Sequence, residues 1–193
     1  CEYRAVAILD AWTSLYAFGI DAGVDTLTSW MRAVSLCAPR IRGGQALLIG
    51  ETDPTLAQSL MLWNSTLLAQ TELREREQTA LPPVFAAACV WGRRDAVKVT
   101  LERIGALGGG DLSAIETTEG MLPSVLGPVP IPQPRTIDSR ELEGTADRVK
   151  AVVRVPQSRR GELALRLRSA SARHVAAREP GELRFQLDPK ERI

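Results

Sequence analysis

Arg159, Arg166 and Arg173 recur every seven residues, with Arg160 beside the first and Lys150 and Arg154 shortly before them. At 3.6 residues per turn, a spacing of seven stacks side chains along one flank of a helix. Guanidinium groups are flat, permanently charged forks, and a row of them can donate charge-assisted hydrogen bonds to phosphates. Few aromatic residues lie nearby, so stacking on bases would add little and the contact would be electrostatic and sequence-tolerant. A solvated helix face would carry the same row, and charge alone does not separate the two readings.

Residues suited to catalysis are scarce. His174 is the only histidine, and it falls on an apolar stripe, where a satisfied core or boundary histidine is the simpler reading. No Ser or Cys nucleophile can therefore pair with a second-site histidine, and no metal site is expected. Cys1, Cys37 and Cys89 are too far apart for a Cys-x-x-Cys ligand pair and fit reduced thiols in a cytoplasmic protein. Neither a Walker-type Gly-Lys loop nor Gly-x-Gly-x-x-Gly occurs. The glycines at 108–110 follow a helical pattern instead of preceding one, which suits a helix end and loop. Glu72, Glu75 and Glu77 alternate with Arg74 and Arg76 as on a solvated helix. Asp10 ends an apolar run, the place where ligands gather in open α/β sheets.

The elements that must position the arginines are legible. In residues 147–189, Val149, Ala151, Val153 and Val155 alternate as in a half-buried strand. Pro156 stops it, Ser158 is the expected cap, and Glu162 favours the positive helix end. Leu163, Leu167, Ala170, His174 and Ala177 follow as the buried stripe of a helix. Pro180-Gly181 ends that helix, and LRFQLD is a second alternating strand.

Upstream, YRAVAILD and QALLIG read as strands covered on both faces. A helix capped by Asp25 or Thr26 runs to about Ala38, with Leu27, Trp30, Met31 and Val34 facing inward. A second begins at Thr52 or Asp53 with Pro54 in its first turn and buries Leu56, Leu60 and Trp63. Residues 1–64 thus read as the end of a parallel α/β sheet, its other strands expected to precede Cys1 in an intact protein. Residues 65–80 form a separate helix closed by Leu-Pro-Pro. Then VFAAACVWG is a strand, RRDAVKVTLERIGAL a helix, MLPSVLGPVPI extended, and 132–147 a polar loop. With the arginine unit, 84–188 reads β-α-β-β-α-β, an α+β ferredoxin-like order.

The chain has 193 residues, 24% charged and 45% hydrophobic, which excludes wholesale disorder. No apolar run reaches the roughly 18 residues that span a bilayer, and no signal peptide is visible. Net charge is +1, yet residues 148–193 hold 12 Lys and Arg against 5 Asp and Glu, while the remainder holds 12 against 18. The basic end suits a polyanion and the rest does not.

Three stretches resemble one family. ELREREQTALPPVFAAACV resembles the AERRxLxxPP segment of the bacterial primosomal protein N-prime (PriA, replication restart) family. VLGPVPIPQPR resembles its LGPxP segment and LRFQLDPKERI its C-terminus, in the same order and spacing. The resemblance covers nearly the whole chain. It implies that 1–64 closes the second helicase lobe and that 65–193 is the family's C-terminal domain, similar in fold to a small ribosomal protein. It also implies zinc and ATP sites upstream, with no cofactor in this chain. Active members carry Gln-x-x-Gly-Arg-x-Gly-Arg before the second strand, and its arginines reach ATP phosphates. The matching stretch here, RAVSLCAP at 32–39, puts Leu36 and Pro39 at the arginine positions. Neither donates to phosphate, although Arg40 and Arg42 lie close by. This is similar to the actinobacterial branch, whose helicase motifs have decayed.

The resulting expectation is a cytoplasmic DNA-binding replication restart protein that assembles primosomes on forked or single-stranded DNA without helicase activity. Lys150, Arg154, Arg166 and Arg173 are the DNA-binding candidates. By position in the family, Arg159 or Arg160 would take the acidic tail of single-stranded-DNA-binding protein. Other primosome proteins are further partners, and no membrane is expected. The alternatives are an active 3′–5′ helicase of the same family and an RNA-binding module of ribosomal type. RNA-recognition modules carry an aromatic strand signature that this chain lacks.

Overall fold

The computed structural model describes residues 3–17, 19–131 and 147–189. The chain divides into two compact units, Cys1–Arg74 and Glu75–Ile193.

The first unit comprises β1 (Ala5–Ile8), α1 (Ala22–Val34), β2 (Gln45–Leu48), α2 (Pro54–Met61) and the start of α3 (Ser65–Gln78). β1 and β2 pair in parallel, Ala5 opposite Gln45 and Ile8 opposite Leu48. Leu27, Leu56, Leu60 and Leu68 form the core, with Ile8, Trp30, Met31, Val34 and Leu48 packed against it. The Asp53 carboxylate caps α2 by accepting the Leu56 N–H at 2.9 Å, and Pro54 fits the first turn because its missing N–H would have had no helical partner.

Several expectations shift here. Helix α1 begins behind Asp21, not at Asp25 or Thr26, because the Asp25 N–H already closes a turn onto the Asp21 carbonyl at 2.9 Å. It ends at Val34, short of Ala38. Trp63 lies past the end of α2 at φ 54 and is half exposed, so it does not join the core. Neither strand is covered on both faces. Ile8 and Leu48 meet the helices, whereas Ala5, Ala7 and Leu47 are exposed, since the core lies against one side of the two-stranded ribbon.

The second unit runs β3 (Phe85–Arg93), α4 (Arg94–Arg103), β4 (Ala114–Thr117), β5 (Gly120–Pro123), β6 (Val125–Pro130), β7 (Arg148–Pro156), α5 (Arg160–Ala176) and β8 (Leu183–Leu187). Its main sheet is antiparallel in the order β6-β7-β3-β8. Period-two alternation sends Ala86, Ala88 and Val90 of β3 and Val149, Ala151, Val153 and Val155 of β7 into one core. Val97 and Leu101 of α4 and Leu163, Leu167 and Ala170 of α5 close over them, so both helices share one sheet face. This is an α+β arrangement. The extended segment expected over 121–131 divides into β5 and β6, and β4 pairs with β5 as a separate hairpin. Four-residue strands are too short to show a period, so β4 gave no sequence signal. The loop expected at 132–147 lies, apart from Asp147, outside the described residues.

Candidate functional site

Strand β7 delivers the chain to α5 through a 3-10 turn over Gln157–Arg159. Ser158 is not the cap; Arg159 occupies that position and makes no side-chain cap hydrogen bond. The helix instead begins with an ion-pair cluster. Arg159 donates from Nε to Glu162 Oε2 at 2.7 Å and from Nη2 to Asp111 Oδ2 at 2.6 Å. Its Nη1 donates to the Asp111 carbonyl at 2.8 Å. Arg166 donates Nη1 to Asp111 Oδ1 and Nη2 to Asp111 Oδ2, each at 2.7 Å, in the parallel fork typical of arginine and carboxylate. It also reaches the Ile104 carbonyl at 2.8 Å and Glu162. Arg166, and after it Arg159, hold the Asp111 carboxyl below the usual carboxylate range. Arg159 chiefly does the same for Glu162. Two cations and two anions make the cluster neutral.

The loop bringing Asp111 to this place depends on glycine. Gly105 has φ +79, and a Cβ there would stand 2.7 Å from Asp111 Oδ1 and 3.1 Å from Arg166 Nη1.

The other candidates separate. Arg160 pairs with Asp188 at 2.5 Å. Arg173 is exposed on the flank of Arg159 and Arg166, and Arg168 is exposed elsewhere on α5; neither has an ion-pair partner among the described residues. Lys150 is half-buried on β7 opposite Trp91. Arg154, expected at a DNA-facing surface, is 4% exposed. It donates Nη1 to the Thr79 carbonyl at 2.5 Å and Nη2 to the Pro123 carbonyl at 2.6 Å. Burial lowers its pKa. Strand β7 was read as half-buried, but Val152 and Arg154 show that its second face is covered too.

The C-terminal part of the buried stripe also changes. Leu163, Leu167, Ala170 and His174 are buried, whereas Ala177 follows the end of α5 and is exposed. His174 sets Nδ1 3.1 Å from Glu179 Oε2 and Nε2 2.8 Å from the Gly181 carbonyl. Glu179 also takes both Nη groups of Arg103, which hold its pKa down with the help of His174. The histidine is a fixed boundary residue joined to a structural ion pair.

Sequence reasoning missed Asp111. No local pattern marks it, and its position directly after Gly108, Gly109 and Gly110 is the one available hint. Elsewhere, the side chains of Leu36 and Pro39 carry no hydrogen-bond donor, and Arg40–Arg42 form a 3-10 turn. Among the described residues, no group of three or more His, Cys, Asp or Glu is placed to hold a metal. None of their helices is long and apolar enough to cross a membrane.

An arginine-bearing helix on an antiparallel sheet, two of its cations neutralised by Glu162 of the same helix and Asp111 of a distant loop, defines an α+β domain. The primosomal protein N C-terminal domain matches residues 77–190. The chain belongs to that family. It is 31% identical over 194 residues to a probable replication restart protein PriA of Mycobacterium leprae (strain TN), which covers 97% of this chain and 27% of the relative. The probable replication restart protein PriA of Mycobacterium tuberculosis (strain ATCC 25618 / H37Rv) is 30% identical over 191 residues, covering 97% and 28%. The chain thus spans about a quarter of these relatives' length.

Proposed function

We propose that this chain is the DNA- and partner-binding C-terminal part of a replication restart protein and that the protein acts without helicase activity. The observation that carries the reading is similarity to proteins named for replication restart along 97% of the chain. In this reading, residues 1–64 close a helicase-like lobe whose phosphate-binding arginines are replaced by Leu36 and Pro39. The lobe then serves as scaffold, and recognition falls to the second unit. Arg173 and Arg168 present charge to forked or single-stranded DNA. Arg160, 58% exposed and held to Asp188, is better placed than the more enclosed Arg159 to take an acidic partner tail. Zinc and ATP would belong to residues upstream.

DNA-stimulated ATP hydrolysis by the full-length protein tests the inactive motor, and robust turnover overturns it. Competition between forked DNA and structured RNA tests the ligand. A preference for RNA would favour the ribosomal-type alternative.

A further inference from the structure

We infer that Arg159 and Arg166 form a preorganised phosphate-binding fork kept closed by a resident carboxylate, Asp111, so that single-stranded DNA engages it by displacing Asp111. This rests on the DNA-binding reading above and adds the residue that governs it.

Asp111 accepts two hydrogen bonds from each arginine but is not their sole anchor. Glu162 accepts from both, at 2.7 and 3.0 Å from Arg159 and again from Arg166 one turn later. The Ile104 carbonyl also accepts from Arg166 Nη1 at 2.8 Å. Asp111 is the exposed member: its side chain is 54% accessible against 31–37% for the other three. Its backbone is held, because Gly110 packs on the Gly105 backbone and the buried Leu112 donates its N–H to the Gly105 carbonyl at 2.9 Å, so the carboxylate alone would turn away. Its two oxygens occupy the place a phosphate would take, receiving the Arg166 fork and one Arg159 N–H. When the carboxylate turns away, a neutral cluster becomes +1, with the arginines still held through Glu162 and the Ile104 carbonyl.

The flank favours nucleic acid over an isolated anion. Arg173 lies seven residues beyond Arg166, roughly 10 Å along the helix, and is exposed without an ion-pair partner among the described residues. A linear polyanion crossing Arg173 would arrive at the fork.

The test measures binding of a fluorescent single-stranded oligonucleotide to the whole chain against salt, for the wild type, Asp111→Asn, Asp111→Asn with Arg166→Gln, and Arg173→Glu. Asp111→Asn should tighten binding about fivefold and steepen the salt slope by about 0.7, the increment of one further phosphate contact on a single strand. The double variant should lose that gain, and thermal melts should show each variant folded. Unchanged or weaker binding by folded Asp111→Asn, beside a wild type that binds and an Arg173→Glu that does not, overturns the gate and leaves the DNA reading standing. No DNA binding by any variant overturns both. A gain seen with an acidic peptide instead of the oligonucleotide overturns the phosphate assignment.

Discussion

Arg154 on β7 donates to the carbonyl of Thr79, 75 residues earlier in the chain, and holds the segment following α3 against the second face of the sheet. A charged side chain expected to meet DNA is instead an internal tie. No carboxylate partner of Arg154 occurs among the described residues, where two carbonyl oxygens accept from it.

Replacing Arg154 by Ala should therefore destabilise the domain by about 3 kcal/mol, because it opens a cavity and leaves two carbonyls unpaired. Arg154→Lys should recover only part of this, since one ammonium does not reproduce a two-carbonyl fork. Urea denaturation checks both, and a loss under about 0.5 kcal/mol, the range of an ordinary surface substitution, would refute the tie.

Acid should weaken the second unit through its ion pairs. Asp111, Glu162 and Glu179 all have folded pKa values below their ordinary ones. A depressed carboxylate contributes stability that is present above its unfolded value, about 4, and is lost as pH falls toward the folded value. Melting temperature should be flat above about pH 5 and decline below about pH 4. Asp111→Asn should shallow that decline, as melts across a pH series would reveal.

Gly92 should resist substitution. It stands in β3 at φ +150, and a Cβ there would lie 1.9 Å from the backbone carbonyl oxygen of Glu182. Backbone cannot swing aside as a side chain can, so Gly92→Ala should cost about 2–3 kcal/mol in strain and lost pairing. Its effect should concentrate on β8, visible as a larger rise in amide exchange at Leu183 and Phe185 than along β3.

The two sides of α5 should answer differently. Leu167 is fully buried in the core, whereas Leu165 is 67% exposed. Leu167→Ala should cost about 3 kcal/mol through its cavity, and Leu165→Ala less than about 0.5. Equal costs in urea melts would mean that the helix faces another way.

Arg173→Glu should weaken single-stranded DNA binding and reduce its salt slope by about 0.7, because it removes one phosphate contact. Arg154→Met should leave the slope unchanged in any protein that remains folded. Fluorescence titrations at several salt concentrations distinguish the two.

How far the sequence led depended on the range of the interaction. Strands β3, β7 and β8 and helix α5 were legible because their apolar spacing is local: Val149 to Val155 by twos, then Leu163 to His174 by threes and fours. The cap of α2 was legible too, since Asp53, Pro54 and Leu56 are neighbours. The hairpin β4–β5 was not, being too short for a period, and neither was the burial of β7 on its second face.

The sequence alone determined the α+β class, the helix-facing core of the second unit, the family and the arginine row with its seven-residue spacing. Only the tertiary structure decided what those arginines do. Asp111 lies 48 and 55 residues from Arg159 and Arg166, and Thr79 lies 75 from Arg154. A side chain's period fixes which way it points, but a charge is neutralised by whatever the fold carries within about 4 Å, and that partner leaves no trace in local spacing.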